Sequence, residues 1–345
     1  MDVKYNFYVL DKAEKPELWD NAVKEIDTAN FFHTSDWLFF VEKYFQVKLR
    51  KTLIYASEDV HGVFPFFEKK YGFYKIAGSP LFLENVPYMG FALKRDKDTV
   101  ALLTAIDSFI KNNGIDFFRA SFDDNFYSGH FQQHGYLLEK KVSFRLDLSR
   151  KEELLWKGLG QKGRNLVRKA EKNNFVVEIA SDLDFIDSYY AMSKDVFAHK
   201  GLPPLLRKSY YNELFTALND KGFVKIFMLN SSVGEPVAGA IILICQEKAY
   251  YLDGVSYKKY QTFGINNYLQ WKIIQYLQKA GITHYDMTGG GLPGVERFKK
   301  SFGTTIHPTL YVEKSFSFFS KFARSMYAKK RLLKKKMDYY FQWKR

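Results

Sequence analysis

The chain has a single cysteine, Cys245, in 345 residues. One thiol excludes a disulfide framework and any cysteine metal cluster, and no metal is expected as a partner. Inside the apolar run 240–245 Cys245 reads as a small packed hydrophobe rather than a nucleophile. Long apolar runs are also lacking, since no stretch reaches the ~20 residues a bilayer-spanning helix needs. The opening residues, MDVKYNFYVLDKAEK, carry charges where a signal peptide would need an apolar segment, so a cytoplasmic protein is expected. What remains is a globular composition, 46% hydrophobic and 18% aromatic without low-complexity tracts, and a length that favours two domains over one core.

Acidic charge is scarce in one place in particular. The net charge is +14, and residues 314–345 hold eleven Lys and Arg against Asp338 alone, a net +10 that leaves +4 for residues 1–313. In this tail Phe319, Phe322, Met326, Leu333, Met337 and Tyr340 recur at three- and four-residue spacing, with cations on the other sides. A basic amphipathic helix reads first as an element for an anionic membrane surface, on the inner face for a cytoplasmic protein, and second as an RNA-contacting arm. A helix packed on its own domain with a solvated basic face is the third reading. The body has no signature of the common RNA-binding modules.

The body reads as α/β with mixed sheets, and the order of its elements repeats. The first half has a hairpin at 52–67, an amphipathic helix at 100–111, then Asn113-Gly114 and a strand at 115–121. The second has a hairpin at 224–245, a strand at 249–255, an amphipathic helix at 265–279, then Ala280-Gly281 and a strand at 282–287. FIKNNGIDFFRAS and YLQKAGITHYDMT align, which places Gly114 and Gly281 a domain length apart. A hairpin beside a strand-helix-strand unit gives antiparallel and parallel pairing in one sheet. The expected division is 1–150, 151–313 and the tail 314–345.

Two segments carry candidate chemistry. Residues 286–303, DMTGGGLPGVERFKKSFG, leave a buried strand into Gly289, Gly290 and Gly291, where glycine lets the bare backbone approach a ligand. Arg297, Lys299 and Lys300 then place cations beside that loop, with Phe298 and Phe302 as anchors; a tight turn with a solvated basic flank is the plainer reading. Within 154–174, Arg164, Arg168 and Lys172 are spaced by four and share a helix face, which suits phosphate or simply solvent.

Four stretches resemble the FemABX aminoacyltransferases and the wider group of N-acyltransferases with doubled GNAT folds. They are FFHTSDWLFFVEKY at 31–44, GRNLVRKAEKNNF at 163–175, YYLDGVSYKKYQTFGINNYLQWKII at 250–274, and YDMTGGG with RFKKSFG at 285–303. The resemblance covers most of residues 30–313. It implies two tandem GNAT-like domains, the second holding the donor site, and transfer of an activated acyl group to an amine. It implies no tightly bound cofactor. The donor would be an aminoacyl-tRNA, with acyl-CoA or acyl carrier protein as alternatives, and the acceptor an amine on a sugar nucleotide or lipid-linked precursor.

Aminolysis passes through a tetrahedral oxyanion and must strip a proton from the amine. In that frame Lys299 is the candidate for the oxyanion. Asp253 and Asp286, at strand ends where aspartates also cap turns, are the candidate bases. Trp37, Tyr251, Gly289, Gly290, Gly291, Arg297 and Phe298 are expected to contact substrate, and Arg164 and Arg168 to hold a phosphate. Relatives that bind a sugar nucleotide place a lysine very soon after the position of Trp37, whereas here the nearest is Lys43. Gln261, Gly264 and Asn266 resemble the GNAT Q-x-x-G-x-G/A turn that cradles a pyrophosphate at a helix N-terminus, with Asn266 in the final small position.

Overall fold

The computed structural model describes residues 4–10, 16–81, 86–94, 99–124, 127–199, 201–322 and 324–326. The first half contributes β1 (Tyr5–Val9), α1 (Pro16–Glu25), α2 (Ser35–Phe45), β2 (Lys48–Ala56), β3 (Asp59–Tyr71), β4 (Tyr74–Ser79), β5 (Ala92–Leu93), α3 (Thr99–Asn112), β6 (Phe117–Phe122), α4 (Ser128–Gln133) and β7 (Leu137–Asp147). The second contributes α5 (Glu152–Gly158), α6 (Gln161–Lys172), β8 (Val176–Ile179), α7 (Phe185–Ala198), α8 (Lys208–Leu218), β9 (Val224–Asn230), β10 (Pro236–Cys245), β11 (Lys248–Ser256), α9 (Ile265–Lys279), β12 (His284–Asp286), α10 (Pro293–Lys300) and β13 (Thr305–Ser315).

These strands form one sheet in the order β1-β2-β3-β4-β6-β13-β7-β12-β11-β10-β9-β8, with β5 attached to β3. The duplication is visible in it. β4 and β6 pair in parallel across α3, and β11 and β12 pair in parallel across α9. Both connecting helices end in the same cap: Gly114 at φ 67 and Gly281 at φ 78. Ile115 N–H bonds back to Ile110 O and Ile282 N–H to Leu277 O. A left-handed residue with a bond back over the last turn is what glycine supplies there.

Alternation along the strands sends side chains to two layers. Leu53, Ile226 and Ile241 face one core shared by α1, α2, α7 and α8, so the two halves are joined by a common apolar layer. Ile54 and Phe64 face α3 on the opposite side of the sheet, while Phe227 and Ile242 face α6 and α9. β13 lies between β6 and β7, so the expected boundary at 313/314 falls inside a strand of the first half's sheet. Residues 154–174 span two helices, parted where Leu159 and Gly160 are extended (ψ 124 and 153), and Arg164, Arg168 and Lys172 all lie on the second.

Candidate active site

The site is opened by strands that part. β11 and β12 pair only at Lys248, Ala249 and Tyr250 opposite His284, Tyr285 and Asp286. β11 then runs on to Ser256, while the other chain turns away through Thr288 at φ 59. On the far side of β11, Asp253 opposes Ile241 and Tyr251 opposes Ile242, so Leu252 is an unopposed bulge that bends the strand. Between the diverging strands lies a cavity of about 730 Å³. Tyr251, Asp253, Gln261, Asn266, Gly289, Gly290, Phe298 and Lys299 all contribute to its wall.

Lys299, on the last turn of α10, is buried with its Nζ turned to the glycine loop. It donates to Met287 O, to Gly289 O at 2.6 Å and to Thr288 O at 3.3 Å, and lies 5.5 Å from the centre of the Tyr251 ring. A buried ammonium held by backbone carbonyls and an aromatic face sets the shape of that loop. Burial pushes its pKa down from 10.5 to about 8, against the pull of the Asp286 charge. The loop is tight, since a Cβ on Gly290 would lie 2.2 Å from Glu296 Cγ; on β11, one on Gly254 would lie only 1.7 Å from the Tyr251 hydroxyl.

Asp253 stands on the cavity wall. Its Oδ2 accepts from Tyr189 at 3.2 Å and Tyr211 at 3.1 Å, two phenols reaching across from α7 and α8. Burial raises its pKa, and the bonds from the Gly254 backbone and from Tyr211 and Tyr189 pull it back down. Nothing in the local sequence marks these tyrosines, since they are 64 and 42 positions from the residue they hold.

Asp286, the other expected base, is not in the cavity wall. Its carboxylate accepts from Tyr88, from Ser143 Oγ at 2.8 Å, from Arg145 Nε at 3.1 Å and from Thr288 N–H at 2.6 Å. With four donors on two oxygens it is a structural hub that ties the first half to the loop. Tyr88, Ser143 and Arg145 were not visible in the sequence, because they meet Asp286 through separations of 141 to 198 residues.

Several expected contacts lie elsewhere. Trp37 is wholly buried among Phe31, Phe32 and Phe40, and Lys43 is exposed and paired with Glu213 at 2.9 Å. Arg164 folds back onto Leu159 O and Lys157 O, the latter at 3.1 Å, and caps the end of α5. Arg168 stacks on Trp156 at 5.5 Å. Arg164 and Arg168 thus both have partners within the chain, and neither lines the cavity. Arg297 and Gly291 are exposed and outside the cavity wall. Gly264, at φ 81, begins α9 beside the cavity, and a Cβ there would lie 2.4 Å from Leu166 O, so the turn needs glycine. Among the described residues no cluster of metal-ligating side chains occurs.

Comparison with known proteins places this geometry. Residues 161–300 match the family described as acetyltransferase (GNAT) domain. The lipid II:glycine glycyltransferase of Staphylococcus saprophyticus subsp. saprophyticus is 33% identical over 76 residues, which are 20% of this chain and 18% of that protein. The match thus spans less than a fifth of that relative's length. The crystal structure of FemX superposes with a TM-score of 0.68 at 15% identity over 88% of this chain and 96% of that one. A tandem GNAT protein from the clavulanic acid biosynthesis pathway gives 0.54 at 9% identity over 90% and 98%. The fold is thus a tandem GNAT architecture, and its sequence is similar to the GNAT acetyltransferase family over residues 161–300 and to a glycyltransferase over 76 residues.

Proposed function

We propose that the chain is an N-acyltransferase that joins an aminoacyl group, carried by tRNA, to an amine on a cell-envelope or amino-sugar precursor. The observation that carries the reading is the meeting of Asp253 and Lys299 in the walls of one cavity between splayed strands. Asp253, its basicity raised by burial, takes a proton from the attacking ammonium. The freed amine attacks the ester carbonyl, a C–N bond forms, and the carbonyl electron pair moves to oxygen. Lys299, its ammonium held by the carbonyls of Met287 and Gly289, supplies positive charge beside that oxygen from a buried position. Collapse of the intermediate breaks the C–O bond; Asp253 gives the proton it holds to the departing oxygen and then takes the surplus proton from the nitrogen, which keeps one hydrogen in the amide, and releases it to solvent. The match to a glycyltransferase supports an aminoacyl donor, and the FemX-like fold agrees with it.

The turn from Gln261 to Gly264 at the start of α9 favours a second reading, an acyl-CoA donor. Against it, Asn266 puts an amide side chain into the wall where the CoA turn keeps a small residue. The test offers purified protein a labelled aminoacyl-tRNA or acetyl-CoA with amine acceptors, including a lipid-linked sugar peptide. Amide product from charged tRNA is expected. Product from acetyl-CoA alone would transfer the protein to the second reading, and no product from either, with no thermal shift, would withdraw both.

A further inference from the structure

One end of the sheet carries an exposed apolar surface unrelated to the cavity. The tip of the β3–β4 hairpin, where Tyr71 pairs with Tyr74, is at this end. So are the end of β13, where Ser315 pairs with Phe117, and the start of β7, where Leu137 pairs with Glu313. Beyond β13, residues 318–322 and 324–326 are helical.

This helix is mounted with its apolar side outward. Ser320 is fully buried against the body. Arg324, one turn on, is ion-paired with Glu313 and sits 4.9 Å from the centre of the Phe117 ring. Phe318, Phe322 and Met326, which share another face, are 87%, 60% and 53% exposed. A helix stabilised by its own domain buries the apolar stripe instead. Phe319 leans on the hairpin, 5.0 Å from the Phe73 ring, yet Phe73 at the tip remains 82% exposed.

The surroundings are basic. Lys70, Lys111 and Lys321 are exposed at this end. The acids near them are engaged: Asp116 accepts from Lys75 N–H at 2.9 Å, Glu313 holds Arg324, and Asp107 holds Tyr136 and Lys314. Residues 327–345, outside the described residues, add eight Lys and Arg against Asp338. A second copy of the chain would bring the same charge and be repelled, whereas anionic lipid headgroups complement it and the acyl region accepts the rings.

We propose that the hairpin tip and the outward-facing helix form a two-part docking surface for an anionic bilayer, independent of the acyl-transfer reading. The test floats full-length protein with phosphatidylcholine vesicles, with and without phosphatidylglycerol, at low and high salt. Binding is expected with phosphatidylglycerol only and should weaken with salt. Phe73→Glu, or Phe318→Glu with Phe322→Glu, should weaken it about tenfold or more for each ring withdrawn. The melting temperature should not move, because these side chains face solvent; serine replacements serve if glutamate lowers it. Undiminished binding by the variants would leave charge alone and overturn the proposal, as would equal binding to neutral vesicles. A dimer abolished by the same substitutions, without vesicle binding, would assign the surface to a second copy.

Discussion

Replacing Lys299 by methionine should separate activity from stability. The side chain is buried, and lowering its pKa from 10.5 to about 8 corresponds to about 3 kcal/mol by which the fold disfavours the charged form. Methionine removes that penalty and fills similar space. It also removes the hydrogen bonds to the carbonyls of Met287, Thr288 and Gly289, each worth about 1.5 kcal/mol, the low end for a charged donor. The two contributions nearly cancel, so unfolding by denaturant should shift by less than about 2 kcal/mol. Turnover should nevertheless fall about a hundredfold or more, the loss expected when a charge poised for an oxyanion is removed. Turnover within about threefold of the parent would remove Lys299 from the chemistry, threefold being well under 1.4 kcal/mol in the barrier. A stability loss above about 4 kcal/mol would show that the ammonium is chiefly a clamp for the loop, since breaking its hydrogen bonds would then dominate.

Activity should also fall as pH rises through about 8, where Lys299 loses its proton, and as pH falls through the raised pKa of Asp253. Asp253→Asn should abolish the acid limb along with most turnover. The sign for stability is opposite on the alkaline side. Below pH 8 the folded state carries the full cost of the charged Lys299, and between 8 and 10.5 the unfolded state binds more protons, so the parent should gain stability relative to Lys299→Met. Gly264→Ala should destabilise by about 1–3 kcal/mol, because it combines a left-handed φ with a clash against Leu166 O, read from the melting curve. Arg164→Gln with Arg168→Gln should lower the melting temperature and leave KM for phosphate-bearing substrates unchanged; a raised KM would return these arginines to the site.

Much of the second half could be read in advance where local rules decide. The helix at 265–279 and the hairpin strands around 231–235 agree with the structure because periodicity, a turn and a glycine cap all point the same way. The strand expected at 282–287 shortens to His284–Asp286, since its neighbour diverges to open the cavity, an event no local pattern records. Lys299, Asp253, Gly289 and Gly290, singled out from residue type and resemblance, line one cavity. Their partners were not legible: Tyr189, Tyr211 and Tyr88 are ordinary core aromatics by sequence and acquire their roles only through pairing between distant elements. The partners of the arginine row were hidden for a related reason. A helix face predicts which side chains are neighbours, but not that Trp156 and the end of α5 will claim them first.

β6 and β7 follow each other in the chain but are kept apart by β13, the last strand of the described fold. A ribosome delivers the first 147 residues long before residue 305, an interval on the order of ten seconds or more. Throughout it both strands present bare edges on either side of an empty slot. A nascent chain in this state has reason to wait for a chaperone, or to pair wrongly with a neighbour, and any truncation short of Thr305 would make that exposure permanent.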